Sequence, residues 1–210
     1  MSTAIKTFLA DPGKKEGGMT MRKSKQETAL TRERIVKAAA SEFRQHGIVA
    51  TGLADLMSAA GLTHGGFYRH FASKDQLVAE ASAAALATTT EQMAAIASRQ
   101  PGQKGIEAAV GRYLSTAHRD NRRDGCALAA LGSELARADT ETRNAATAAF
   151  LKLVDILAGQ FDEAKPEEAQ KRAMVALSTM IGALTMSRIT NDRRLSRSLL
   201  RAAQEVLTRS

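Results

Sequence analysis

The feature that most constrains the fold is the segment Ala60–Lys74, in which two helix-start signals follow each other closely. Thr63 can cap a first helix, because its hydroxyl can accept a hydrogen bond from an unpaired amide of the first turn. Ser73 begins the next helix as the first residue of a Ser-x-x-Gln capping box. Between the caps, Phe67 and Phe71 have the i, i+4 spacing of an apolar helix face. A helix this short buries little area, so we expect it to present side chains to a groove.

Two further helices are predicted upstream of this segment. Thr31 can cap the first, whose apolar positions repeat every four residues from Ile35 onward, and Gly47 can end it in a left-handed conformation. Thr51 or Gly52 can begin the second, which a glycine turn joins to the short helix. Three helices within about 40 residues, the last two joined by a tight turn, form a helix-turn-helix unit.

The remainder of the chain is also predicted to be helical, which makes the fold all-α. Hydrophobic residues make up 44% of the sequence, yet aromatics are only 4% and there are three prolines, so helices packed through alanine are favoured over a sheet. The spacing predicts helices over about 73–98, 103–119, 126–138, 140–161 and 167–189, and a last one after 195. The predicted organisation is a flexible basic tail at 1–28, a DNA-binding domain at 29–77 with its helix-turn-helix at 52–71, and a helical domain at 78–210.

Positive charge is concentrated in the part of the chain that carries the helix-turn-helix. The whole chain has a net charge of +8, and residues 1–75 contribute +5 of it, with 12 basic against 7 acidic side chains. Cationic side chains that neutralise DNA phosphates release counterions, which favours binding. A basic chain is common in itself, so the charge supports the motif without establishing it.

The run from Ala59 to Asp75, followed by Leu77, resembles the DNA-binding signature of the tetracycline-repressor (TetR) family of bacterial regulators. The resemblance is close over about residues 31–77, and beyond them it extends only to length and helical texture. It implies a homodimer that binds a palindromic DNA operator and releases it when a small molecule enters the C-terminal domain, and it makes repression the default. Family members usually carry two threonines before the second helix, whereas this chain has Thr51-Gly52.

DNA recognition requires contacts that position the protein on phosphates and contacts that read base edges. Tyr68, His70 and Lys74 match the phosphate-contacting positions of the family, and the helix starts at Thr51 and Thr63 add polar groups where unpaired amides attract anions. The predicted base-reading residues are His64, Gly65, Gly66 and Arg69. Glycines in the first turn allow close approach to the groove; the alternative is that they are simply tolerated in so short a helix.

A dimer interface is predicted on the last two helices. Their apolar and small residues form a broad surface suited to a two-fold four-helix contact, with these candidates: Ala176, Met180, Gly182, Ala183, Leu184 and Leu199. The alternative is that both helices bury this face within their own subunit. The family resemblance favours the dimer.

Cys126 is the one cysteine, and it follows Gly125 at a predicted helix start close to Arg122 and Arg123. A helix N-terminus and nearby cations favour the reactive thiolate, so Cys126 is a candidate sensor of an electrophile or oxidant. The alternative is a small buried residue, and Asp124 weakens the positive field. Without a reactive thiol, we expect the effector to be a mostly apolar small molecule held between central helices.

Other classes of function have little support. The sequence contains no hydrolase, nucleotide-binding or dinucleotide-binding motif, so we do not expect an enzyme or a cofactor. The four histidines and single cysteine have no metal-ligand spacing, and no apolar run approaches the length of a membrane span. We expect a cytoplasmic protein. The competing interpretation is an architectural protein that binds DNA without sequence preference.

Overall fold

The computed structural model describes residues 17–162 and 165–209, with side chains from residue 25 onward. The described part is entirely helical, and it contains no strand. Its elements are α1 (Gly17–His46), α2 (Leu53–Ala59), a 3₁₀ helix (His64–Arg69), α3 (Lys74–Ala97), α4 (Gln103–Tyr113), α5 (Thr116–Asp120), α6 (Ala127–Leu135), α7 (Thr140–Ala158), α8 (Pro166–Ile189) and α9 (Arg193–Thr208).

The first helix begins much earlier than the sequence indicated. α1 is continuous from Gly17, so Thr31 lies inside the helix rather than at its start, and residues 17–28 of the predicted tail are helical. Residues 25–30 are exposed, so burial does not hold this extension. Good helix formers without proline let the helix propagate backwards from its packed second half. The first part of the predicted tail, residues 1–16, lies outside the described residues.

Several local signals predicted the helix ends correctly. Gly47 ends α1 with φ of +89°, and Gly61 makes its turn with φ of +68°. The Ser73 hydroxyl accepts from the Gln76 amide at 3.1 Å, although the Gln76 side chain reaches back to the amide of the residue before the cap. At the start of α7, the Asp139 carboxylate caps the helix by accepting from the Thr142 amide at 2.8 Å.

One predicted helix, over 103–119, is interrupted. α4 ends at Tyr113, and Ser115 starts α5 by accepting a hydrogen bond from the His118 amide at 3.1 Å. Serine competes for backbone partners in this way, which favours a cap over a helix interior. The break turns the side chain of His118 back toward Tyr113, whose carbonyl oxygen lies 2.6 Å from His118 Nδ1.

Two apolar cores are joined through α6. The first packs α1, α2, the 3₁₀ helix and the start of α3, and its largest buried side chains are Ile35, Phe43, Leu56, Met57, Phe67, Phe71 and Leu77. The second packs α4, α7, α8 and α9. Leu131 and Leu135 of α6 enter the first core, whereas Ala129 enters the second. α3 also runs through both, so the predicted boundary at 77/78 falls within a continuous helix.

α6 also holds the loop between α1 and α2 through one carboxylate. Glu134 Oε1 accepts hydrogen bonds from the amides of Ile48 at 2.8 Å and Val49 at 3.0 Å. A Cβ placed on Gly47 would lie 3.3 Å from the same carboxylate, so the loop and α6 approach closely here. The contact joins residues 86 positions apart in sequence.

Replacing Glu134 with alanine is expected to lower the free energy of unfolding by about 1–2 kcal/mol, because two amides of the loop lose a charged acceptor. Chemical denaturation at neutral pH measures the change. Glu91, exposed on α3, provides the matched control, since Glu91→Ala removes a carboxylate from a solvated helix face. Equal stability of the two variants would show that the Glu134 contact contributes nothing.

Candidate nucleic-acid interface

The short 3₁₀ helix is anchored to the first core by two aromatic rings. Phe67 and Phe71 are 0% and 2% exposed, and their rings stack with centroids 5.5 Å apart. Tyr68 packs edge-on against Phe67 at 5.2 Å, but it remains 71% exposed. Two buried rings therefore fix a helix that is otherwise too short to be stable, and they leave its other face in solvent.

Arg32 of α1 fixes the end of the 3₁₀ helix, a role that the sequence did not indicate. Its guanidinium lies 4.5 Å from the centre of the Phe71 ring, and Nε donates to the His70 carbonyl at 3.3 Å. The same side chain is paired with Glu80 of α3. Cation–π and ionic contacts from two long helices thus position the backbone at the end of the short one. No local sequence signal could have found Arg32, because its partners are 38 or more residues away.

The predicted base-reading residues lie together on the solvent face of the 3₁₀ helix. His64, Gly65 and Arg69 are exposed, and Gly66 is half-buried. A Cβ added to Gly65 would meet open space, and one on Gly66 would make ordinary contact, 3.7 Å from Met57 Cε. Packing within the subunit therefore does not require either glycine. The role of the two glycines in close approach to DNA stays a prediction.

Of the residues predicted to contact phosphate, three lie at or beside the 3₁₀ helix: Thr63, Tyr68 and His70. Thr63 is exposed at the start of the 3₁₀ helix, but its hydroxyl does not make the predicted cap hydrogen bond. Tyr68 is exposed as well, and His70 is half-buried. Thr63 and Tyr68 therefore present hydroxyls to solvent beside the base-reading positions.

Thr51, by contrast, faces inward. The residue is 3% exposed, and its hydroxyl donates to the Gly47 carbonyl at 2.5 Å. The prediction of a phosphate contact from this hydroxyl is therefore wrong for this conformation, because the side chain closes the loop after α1 instead. Gly52 is the actual cap of α2, and its amide donates to the Asp55 carboxylate at 3.3 Å.

Lys74 makes contacts within the subunit, and its phosphate contact stays a prediction. Its Nζ donates to the Thr51 carbonyl at 2.7 Å and to the Ile48 carbonyl at 3.5 Å, and the side chain is half-buried. The Lys74 ammonium therefore connects the start of α3 to the loop between α1 and α2, which Glu134 of α6 also contacts. Two opposite charges on different helices fix this loop.

Comparisons with known proteins agree with this geometry. Residues 35–81 match the profile of bacterial regulatory proteins of the tetR family, and residues 103–205 match the C-terminal domain of LmrA/YxaF-like transcriptional regulators. An HTH-type transcriptional regulator of Mycobacterium tuberculosis is 30% identical over 170 residues, which cover 77% of this chain and 86% of the relative. The chain belongs to the TetR family of transcriptional regulators.

More distant relatives share parts of the chain or the fold alone. The regulator AcrR of Shigella flexneri is 42% identical over 59 residues, which are 28% of this chain and 27% of AcrR. A TetR transcriptional regulator from Chloroflexus aurantiacus has 26% identity and a TM-score of 0.73, covering 87% of this chain and 94% of that one. The reduced form of Escherichia coli NemR has 18% identity and a TM-score of 0.70, covering 84% and 94%. The TetR-family membership identifies a DNA-binding regulator rather than an enzyme.

Within residues 17–162 and 165–209, no group of three or more histidine, cysteine or acidic side chains could hold a metal ion. In the same ranges, none of the helices combines the length and apolarity needed to cross a membrane.

The structure corrects the predicted dimer surface of this TetR-family chain. Ala176, Met180 and Leu184 are 5%, 0% and 0% exposed, and they pack into the second core of their own subunit. Gly182 is exposed, and Ala183 and Leu199 are half-buried. α8 is apolar on two opposite faces, and residue spacing alone does not show which of them is buried. Its exposed face carries a second stripe: Val175, Ser178, Gly182, Met186 and Ile189.

Cys126 lies at the cap of α6, as predicted, but it is buried. The residue is 2% exposed and belongs to the second core. Its amide donates to His118 Nε2 at 3.0 Å, while Nδ1 of the same ring lies 2.6 Å from the Tyr113 carbonyl. The two contacts together require the neutral ring, with its proton on Nδ1. Tyr113 and Arg188 complete the surroundings of the thiol.

Electrostatics favour the neutral form of His118 as well. Burial lowers the pKa of His118 below 6.5. The contact with the Tyr113 carbonyl raises this pKa, whereas the cations Arg188 and Arg112 lower it further. Burial likewise raises the pKa of the Tyr113 phenol well above 10.0. The cluster is therefore built from uncharged Tyr113 and His118 beside a guanidinium.

Stability is expected to fall as the pH is lowered through 6.5, because the unfolded chain then binds a proton that the folded His118 resists. The contribution is fully present above the unfolded pKa and is lost progressively below it. Urea unfolding at a series of pH values from 7.5 to 5.0 measures the slope. His118→Gln removes the titration while keeping an acceptor for the Cys126 amide, so its slope should be shallower. An unchanged slope would rule out this assignment.

Proposed function

We propose that this TetR-family chain is a homodimeric repressor that binds a palindromic operator and is released from it by a small-molecule effector. The observation that carries the proposal is the exposed face of the 3₁₀ helix, where His64, Tyr68 and Arg69 project from a backbone fixed by buried aromatic rings. Rigid placement of a few polar groups is what reading a DNA groove requires. The repressor role is supported by relatives of the AcrR type, one of which is named a probable operon repressor in Escherichia coli.

Each exposed side chain has a proposed role on DNA. His64 and Arg69 read base edges, and Gly65 and Gly66 let the backbone approach them. Tyr68, Thr63 and His70 contact phosphates. Lys74 contributes its charge at the edge of the interface while it holds the loop before α2.

The proposed dimer surface is the outward stripe of α8 together with the corresponding stripe of α9. Val175 and Ile189 are 65% and 67% exposed on α8, and Leu195 and Val206 are 51% and 65% exposed on α9. Apolar residues at regular helical spacing on two packed helices fit a second copy of the same surface. This arrangement keeps Gly182, Ala183 and Leu199 of the predicted interface and excludes its buried members. Two reading helices held in this way would need to lie about 34–36 Å apart.

The effector is proposed to act by changing that spacing. A ligand must prefer one dimer geometry by about 5.5 kcal/mol to shift the population from 1:99 to 99:1. Cys126 is the candidate target if the effector is an electrophile or oxidant, and because the thiol is buried a reagent would reach it only through local opening of α6. Because its target is chromosomal DNA, we place the protein in the cytoplasm.

Selection from a random-sequence DNA library tests the proposal directly. We expect purified protein to enrich a palindrome, because two copies of one reading helix impose two-fold symmetry on the site. Addition of a thiol-reactive electrophile, with Cys126→Ser as control, tests whether Cys126 mediates release. Retention of DNA without enrichment would instead support an architectural protein.

Two substitutions separate base reading from phosphate contact. His64→Ala is expected to reduce discrimination between operator and random DNA by about tenfold, since one base contact contributes roughly 1–3 kcal/mol. Tyr68→Phe removes a single exposed hydroxyl and should weaken binding to operator and to random DNA equally. Fluorescence anisotropy at several salt concentrations measures both effects. Equal losses on the two DNAs for His64→Ala would contradict its base-reading role.

The dimer surface is tested by introducing a charge at its edge. Ile189→Glu is expected to convert the dimer to a monomer without unfolding it, because the side chain is exposed in the single subunit. Leu151→Glu on α7 is the matched control, at a side chain that is 52% exposed outside the stripe. Analytical ultracentrifugation gives the mass of each variant. A dimeric Ile189→Glu together with a monomeric Leu151→Glu would move the interface to α7.

A further inference from the structure

Two buried hydrogen-bond donors at the second core, the Tyr113 hydroxyl and Arg188 Nη1, have no strong acceptor among the described residues. Tyr113 is 4% exposed, and its hydroxyl, next to the weakly accepting Cys126 thiol, forms no hydrogen bond of normal geometry in the described part of the chain. Arg188 Nη1 is likewise buried and unpartnered there. Buried polar groups are almost always paired, so two unpaired donors in one cluster call for an explanation.

The two donors belong to the same small region. The Tyr113 ring packs edge-on against the His118 ring, with centroids 4.8 Å apart, and Arg188 Nη2 donates to the His118 carbonyl at 3.0 Å. Arg188 Nε donates to the Arg119 carbonyl at 3.1 Å. Nη1 is the guanidinium nitrogen that has no partner among the described residues.

Positive charge exceeds negative charge around Arg188, although Asp120 acts on it. Arg188 forms no ion pair within the described residues, Asp120 is already paired with Arg119 at 2.8 Å, and Arg122 adds a like charge. Apolar side chains complete the surroundings, since Tyr113 packs in the same core as Val110 and the buried part of α8. A partly buried guanidinium without a counter-ion is costly, and an anion would offset that cost.

We propose that Tyr113 and Arg188 form the polar end of an effector site for a small carboxylic acid with an apolar body. One carboxylate oxygen accepts from the Tyr113 hydroxyl, and the other accepts from Arg188 Nη1. Two free donors match the two oxygens of one carboxylate, and the positive charge favours the acid over a neutral analogue. The inference rests on the proposed function, for which it supplies the chemical class of the effector.

The same guanidinium is also linked to the DNA-binding half. Arg188 holds two carbonyls of α5, and α5 leads directly into the loop that ends at Cys126. In that loop the Arg123 carbonyl accepts from Arg44 Nε of α1 at 2.6 Å, and the Arg123 side chain pairs with Glu42. A carboxylate bound to Nη1 shifts the guanidinium, and the two α5 carbonyls that accept from its Nε and Nη2 transmit the displacement through this loop to α1.

The test is calorimetric titration of the free, full-length protein with octanoate and with benzoate, each compared with its primary amide. We expect the acids to bind and the amides to bind at least tenfold more weakly, because charge-assisted hydrogen bonds are the stronger ones. Binding to the free protein is measured without DNA. Failure to enrich an operator would defeat the proposed function and leave this measurement unaffected.

Tyr113→Phe is the decisive variant, because it has opposite effects on binding and stability. Removing an unpaired buried hydroxyl should leave the melting temperature of the free protein unchanged or raised, whereas acid binding should weaken about tenfold. Arg188→Met should abolish acid binding. Arg143→Met is the matched control, since Arg143 lines a separate groove between α6 and α7. Cys126→Ala, which removes the thiol without adding an acceptor, should bind the acids normally.

Several results would overturn the proposal. Absence of binding by both acids would exclude the site. Amide binding as tight as acid binding, or full acid affinity in Tyr113→Phe, would also exclude it. Loss of binding in Arg143→Met but not in Arg188→Met would place the acid in the α6–α7 groove. Loss of binding in Cys126→Ala would assign the response to the thiol instead.

Discussion

The DNA-reading face depends on how α6 and the loop before it hold the C-terminal end of α1. Glu134 accepts from two amides just beyond that end, and the Arg123 carbonyl accepts from Arg44 inside the helix. Burial lowers the pKa of Arg44, but Asp124 partly offsets this, so the guanidinium stays in place as a cation. α1 also carries Arg32, which contacts the end of the 3₁₀ helix, so α1 links α6 and the loop before it to the predicted reading residues.

The parts of the fold that were predictable from sequence are those set by local interactions. Gly47 and Ser73 mark helix boundaries because the backbone conformation of glycine and the capping hydroxyl act within a few residues. Phe67 and Phe71 could be assigned to the core from their spacing alone. The start of α1 was missed because its exposed extension carries no boundary signal, and helix propensity alone does not locate an end.

The candidate site was predictable only in part, for a related physical reason. Once Phe67 and Phe71 are assigned to the core, helical periodicity predicts which residues of the 3₁₀ helix face solvent. The inward turn of Thr51 depends on a carbonyl four residues back and on Lys74 from another helix, so the sequence pattern could not distinguish burial from exposure. Likewise, the exposed face of α8 could not be predicted from sequence, since apolar residues occur on both sides of that helix and only tertiary packing determines which side is buried.

The proposed switch follows from the uneven distribution of unpaired polar groups. Glu134 and Lys74 hold the loop before α2 from two different helices. The junction around Arg188 is held on one side only, where Nε and Nη2 donate to two backbone carbonyls of α5. Coupling between distant sites requires an element with two arrangements of similar energy, and we propose that this junction is that element. An effector that completes the hydrogen bonds of Arg188 would therefore act on the same contacts that hold α1.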